Sequence, residues 1–176
     1  MAGAANFREE MEKALEGRVC LMGVGNAEYG DDGFGVRLAE ALIAAGVKDV
    51  IVAGSEPERY LTTAAGAKCD GADFDMLVFD HVVFLDAVEF GGVAGSVVWL
   101  DRAEMGARYP QISTHKISLG VLAGVVESNG RTRAWLLGVQ PESVKEGEGL
   151  SATVEKTLSA LVEVKVEMRT RETTVC

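Results

Sequence analysis

Three aspartates and one histidine stand out in this chain for the chemistry their types and placing allow. Asp31 and Asp32 are adjacent inside GVGNAEYGDDGFG (residues 23–35), Asp86 follows the apolar run ending in Phe84-Leu85, and His115 lies in Ser113-Thr114-His115. Two carboxylates and one neutral imidazole from separate segments make an O/O/N donor set. Such a set suits a divalent metal that keeps an exchangeable position for water or substrate. Each residue also has a structural alternative. Asp31, in front of a helix, can be its N-cap; Asp86 can cap a turn by accepting backbone amides; a lone histidine can be a satisfied residue of the fold. Two aspartates between Gly30 and Gly33 let Asp31 cap the helix while Asp32 faces a ligand. Glu89, in FLDAVEFGG, is expected to be solvated or to support Asp86. The other histidine, His81, is expected to be a solvated or satisfied edge residue.

Other chemistries fit less well. A dinucleotide fingerprint requires G-x-G-x-x-G, but Gly23-Val24-Gly25 is followed by Asn26-Ala27-Glu28, with the next glycine at 30, and there is no P-loop lysine. Carboxylates are favourable at a helix N-terminus but would repel a phosphate placed there. The chain has no H-E-x-x-H and no G-x-S-x-G. Its formal net charge of −10 opposes non-specific binding to nucleic acid, which needs a basic face to displace counterions. The three cysteines (Cys20, Cys69, Cys176) show no metal-binding or disulfide spacing, so a reducing cytoplasm is expected. No apolar run approaches the roughly 20 residues of a membrane span, and the first residues lack the apolar stretch of a secretory signal.

The elements that must position these residues alternate. Apolar runs predict strands at Val19–Val24, Asp49–Ala53, His81–Ala87, Gly95–Leu100 and Ala134–Val139. Helical periodicity places Phe34, Leu38, Ala41, Leu42 and Ala45 on one face, with Gly46 as the stop. Pro57 opens a short helix through Ala65, and Gly66–Asp75 is a loop or insertion. Ser113 or Thr114 caps a helix to about Glu127 with an apolar face of Ile117, Val121, Leu122 and Val125. Leu150, Val154, Leu158, Leu161 and Val162 mark a final helix. Phe7, Met11, Ala14 and Leu15 suit a short N-terminal helix. The fold class is α/β: a single-domain three-layer sandwich, with a twisted, mostly parallel five-stranded sheet and helices on both faces. Residues 1–18 are an extension, 19–168 the domain and 169–176 a frayed polar tail. In such sheets ligands bind at the carboxyl ends of the strands, where Asp31-Asp32, Asp86 and His115 all fall.

Four segments in the same order, GVGNAEYGDDGFG, FLDAVEFG, STHKISL and LLGVQPE, resemble the hydrogenase maturation endopeptidases. The resemblance runs from about Val19 to Leu161. It implies an endopeptidase that removes the C-terminal extension of a [NiFe] hydrogenase large-subunit precursor after nickel insertion. It also implies that the metal-contacting and catalytic set is Asp32, Asp86 and His115. The nickel would be supplied by the substrate, and the partner would be that precursor, with no nucleic acid and no membrane insertion. Gly23, Gly25, Asn26, Asp31 and Gly33 would shape the loop, and Gln140 would line the cleft. Asp32 stands where the family has either Asp or Glu. The Gly66–Asp75 insertion and the N-terminal extension are longer than in many members. The alternative is a non-catalytic nucleotide- or partner-binding α/β module.

Overall fold

A computed structural model describes residues 11–12, 16–61, 68–69, 72–73, 78–108 and 118–174, with residues 61, 68–69, 72–73, 108 and 166–174 described through their backbone alone. The strands are β1 (Val19–Val24), β2 (Val50–Gly54), β3 (Lys68–Cys69), β4 (Ala72–Asp73), β5 (His81–Ala87), β6 (Val97–Asp101) and β7 (Arg133–Val139). The helices are α1 (Phe34–Ala44), α2 (Glu58–Leu61), α3 (Arg102–Arg108), α4 (Leu119–Glu127) and α5 (Ala152–Thr174). The main sheet has the order β2-β1-β5-β7-β6. β1, β2, β5 and β7 run parallel, while β6 pairs antiparallel with β7, Val97 opposite Val139. No helix links Ala87 to Val97, so β6 returns down the sheet instead of crossing over it. β3 and β4 form a separate two-residue hairpin within the expected insertion.

Strands buried on both faces should be apolar throughout rather than alternating, and the central ones are. Cys20, Met22, Val24, Val82, Phe84, Ala134 and Leu136 pack one face against Met105 of α3 and Leu119, Leu122, Ala123 and Val126 of α4. Leu21, Val83, Leu85, Leu137 and Val139 pack the other against Phe34, Leu38, Ala39 and Leu42 of α1 and Val154 of α5. Fully burying a side chain such as Phe34 or Phe84 stabilises by about 2–3 kcal/mol, so these two layers hold the sandwich together. α1 stops as its sequence predicts. Gly46 takes φ +76°, and Val47 N donates to Leu42 O at 3.0 Å, closing the helix end.

The structure corrects several expectations. α3 has no counterpart among the expected helices; among its described side chains the buried anchor is Met105 alone, too little to give a period. α4 is capped by Ser118, whose hydroxyl accepts from Val121 N, and its apolar face is turned from the expected one. Val121 and Val125 are 57 % and 45 % exposed, while Leu119, Ala123 and Val126 are buried with Leu122. A helix that is apolar almost all round gives no sequence signal for which side is buried. α5 continues through Thr174, past the point where a frayed tail was expected. His81 lies on the central strand, not an edge. It is satisfied there: Trp135 Nε1 donates to its Nδ1 at 3.1 Å, and its Nε2 lies 3.0 Å from Glu16 O. The expected cap at Ser113 or Thr114, with Ile117, and most of the N-terminal helix and of the Gly66–Asp75 insertion lie outside the described residues.

Candidate active site

The chain passes from β1 sideways to β2, then returns to place β5 on the other side of β1. That reversal makes the carboxyl ends of β1 and β5 a switch point, the usual ligand position in an open α/β sheet. Asp32 sits in the 3-10 turn Gly30–Gly33 just beyond β1, and Asp86 is the penultimate residue of β5. Both are buried, at 5 % and 2 % exposure. Gly25 lies between them. A Cβ there would stand 1.9 Å from Asp32 O and 3.6 Å from Asp86 Oδ1. The Asp32 main-chain carbonyl and the Asp86 carboxylate therefore both approach Gly25 from neighbouring strand ends. His115 lies outside the described residues, and among the described residues no three His, Cys, Asp or Glu side chains are grouped to hold a metal.

The loop is built around Asp32. Asn26 N donates to Asp32 Oδ2 at 2.9 Å, and Asn26 Oδ1 accepts from Glu28 N at 3.0 Å, a local Asx turn. Asn26 thus ties the loop to Asp32 and to Glu28. The glycines serve close packing. A Cβ at Gly35 would lie 1.9 Å from Leu85 O, at Gly23 2.3 Å from Gly35 O, and at Gly33 2.8 Å from Ala27 Cα. They let the start of α1 lie directly on β1 and β5. A phosphate cradle is not needed to explain them.

Asp31 does not cap α1, whose N-terminus has no side-chain cap. Its fully buried carboxylate reaches the loop after β7 instead. Oδ2 accepts from Glu142 N (2.8 Å) and Ser143 N (3.1 Å), and Oδ1 from Ser151 N (2.7 Å). Backbone bonds reinforce the junction: Asp31 N to Ser143 O at 2.8 Å, Gly30 N to Glu148 O at 3.1 Å and Gly147 N to Glu28 O at 2.8 Å. Sequence reasoning missed this clamp because its partners are main-chain amides, which leave no residue pattern.

Gln140 follows β7 and is 4 % exposed. It pins the segment beyond Asp86, its Oε1 accepting from Phe90 N at 2.9 Å and Gly92 N at 3.1 Å. Its Nε2 donates to Glu89 Oε1 at 2.7 Å. Glu89 is exposed yet bonded to Gln140.

Two buried aspartates at neighbouring strand ends, one of them on a loop shaped by close glycine contacts, supply oxygen donors shielded from bulk solvent. Comparison with known proteins converges on one family. The hydrogenase maturation protease (HycI) family matches residues 36–168. The hydrogenase 2 maturation protease of Escherichia coli (strain K12) is 30% identical over 173 residues, spanning 88% of this chain and 97% of its own. The crystal structure of a [NiFe] hydrogenase maturation protease HycI from Thermococcus kodakarensis KOD1 superposes with a TM-score of 0.73 at 29% identity, covering 90% of this chain and 97% of that one. The hydrogenase maturating endopeptidase HybD from E. coli gives a TM-score of 0.65 at 27% identity, with coverages of 89% and 93%. Matching sequence, sheet and helices over most of its length, the chain belongs to the hydrogenase maturation protease family and is a peptidase.

Proposed function

We propose that this peptidase removes the C-terminal extension from the precursor of a [NiFe] hydrogenase large subunit, once nickel has been inserted there. Asp32, Asp86 and His115 contact the nickel, which arrives as part of the substrate. The observation that carries this reading is the burial of two aspartates at the carboxyl ends of adjacent strands, Asp86 with Oδ1 3.6 Å from the Cβ position of Gly25 and Asp32 with Oδ2 held at 2.9 Å by Asn26 N, the next residue. Anionic oxygens in a crevice largely shut from water attract a divalent cation more strongly than they would in bulk solvent. Held there, the cation brings the scissile peptide into the cleft and supplies Lewis acidity beside its carbonyl. Water adds to that carbonyl, the C–N bond breaks and the released amine takes up a proton. A precursor without nickel offers the carboxylates nothing to hold, so cutting follows metal insertion. The reaction is placed in the cytoplasm as part of the same proposal; no described helix is long and apolar enough to cross a membrane.

The test compares nickel-loaded precursor mixed with wild type, Asp32→Asn, Asp86→Asn or His115→Gln, following the mobility shift on cleavage. Wild type cuts, each variant is slowed by about 100-fold or more, and melting temperatures stay within about 4 °C, as expected where removing charge leaves packing intact. Nickel-free precursor stays whole. Normal cutting by all three variants would overturn the assignment.

A further inference from the structure

Every polar atom of Gln140 is engaged. Besides the two amides on Oε1 and Glu89 on Nε2, Nε2 lies 3.4 Å from Pro141 O. Its main chain donates to Ser96 O at 2.8 Å and accepts from Gly95 N at 2.9 Å. One residue therefore grips the loop that joins β5 to β6 near both of its ends, and that loop begins two residues after Asp86. The amides along it are held in succession. Ala87 N donates to Asp86 Oδ1 at 2.8 Å, Val88 N to Val139 O at 2.8 Å and Gly91 N to Glu89 Oε1 at 3.3 Å, with Phe90 and Gly92 on Gln140. An exposed glutamate ordinarily keeps its rotamer freedom. Here a charge-assisted bond of 2.7 Å from a buried amide fixes it.

We propose that Gln140 and Glu89 form a positioning unit that sets where the Asp86 carboxylate stands in the cleft. The inference rests on the assignment of Asp86 to the site. Position 140 must accept from two amides and also donate to a carboxylate, and at this length only a primary amide does both. A carboxylate there keeps the acceptor but sets two anions about 3 Å apart. An apolar side chain strands two amides.

The test measures cleavage of nickel-loaded precursor at pH 8 by Gln140→Glu, Glu89→Ala and the exchange variant Glu89→Gln/Gln140→Glu, with thermal melts of each. Gln140→Glu should lose about 10- to 100-fold in kcat with KM within about 3-fold, as for a displaced catalytic group. The exchange variant, which restores an amide–carboxylate pair in reverse order, should return to within about 3-fold of wild type. Glu89→Ala, a surface change that leaves the fold intact, should lower kcat about 10-fold at unchanged melting temperature. Wild-type rates in Gln140→Glu or Glu89→Ala, or an exchange variant no better than Gln140→Glu, would overturn the unit. Asp86→Asn run alongside separates the two claims. If it is inactive while the others cut normally, only the positioning role falls; if it cuts normally, the site assignment falls and the unit with it.

Discussion

Gly25 has φ +125° and an added Cβ would meet the Asp32 carbonyl at 1.9 Å. Substitution there strains the backbone and closes the approach at once. Gly25→Ala should therefore lose about 3 kcal/mol or more of stability in urea unfolding. The neighbouring aspartates divide two tasks, though Asp31 does not take the helix cap its sequence position suggested. Asp31 anchors three amides of the loop after β7, so its loss strands buried donors. Asp31→Ala should cost roughly 3–4 kcal/mol and open residues 142–151 to limited proteolysis, whereas Asp32→Asn should leave unfolding nearly unchanged and abolish cutting. Equal stability losses in the two variants would contradict this division. The doubled aspartate was legible as a chemical signal. That Asp31 clamps the loop after β7 instead of capping α1 was not, because its partners lie more than a hundred residues away and are backbone groups.

Among the elements, α4 shows where a residue pattern stops deciding. Its apolar side chains surround most of the helix, and only contact with the sheet and α3 selects Leu119, Leu122, Ala123 and Val126 for burial. Leu122→Ala should cost about 2–4 kcal/mol. Val121→Thr and Val125→Thr should each stay within about 0.5 kcal/mol, and Ser118→Ala should cost about 1 kcal/mol through the lost cap. Chemical denaturation of the four variants checks the order; a large loss at Val121 would put the buried face where the apolar period alone placed it. β1, β5 and β7 were legible because a strand covered on both faces is a short unbroken apolar run. β6 was legible as a strand but not in its direction, since direction follows from the missing crossover helix.

At the scale of the whole molecule, stability comes from the two apolar layers. The ion pairs Arg37–Glu40 and Arg59–Glu56 are exposed, and such pairs contribute about 0–1 kcal/mol each. Cys20 reports on the inner layer. Burial, with a smaller push from the nearby Asp49 charge, raises its thiol from 9.0 to about 12. Because the folded value is raised, the thiol's contribution is complete below pH 9 and is lost as pH rises from 9 through 12, when only the unfolded chain ionises. In a Cys69→Ser/Cys176→Ser background, Ellman's reagent at pH 8 should react with Cys20 only as the chain unfolds, and urea stability should fall on moving from pH 8.5 to pH 10.5. Rapid labelling of the folded protein would contradict the burial. By itself the sequence determined the α/β class, the main strands and the place of Asp32 and Asp86 at strand ends, because burial on both faces, helical period and glycine stops are local properties of the chain. Only the tertiary structure decided that β1 and β5 lie side by side at a reversal of strand order, that Asp31 is a clamp, and that Gln140 and Glu89 hold the segment after Asp86. Each of these depends on backbone groups brought together from distant segments, and a backbone amide is the same in every residue but proline.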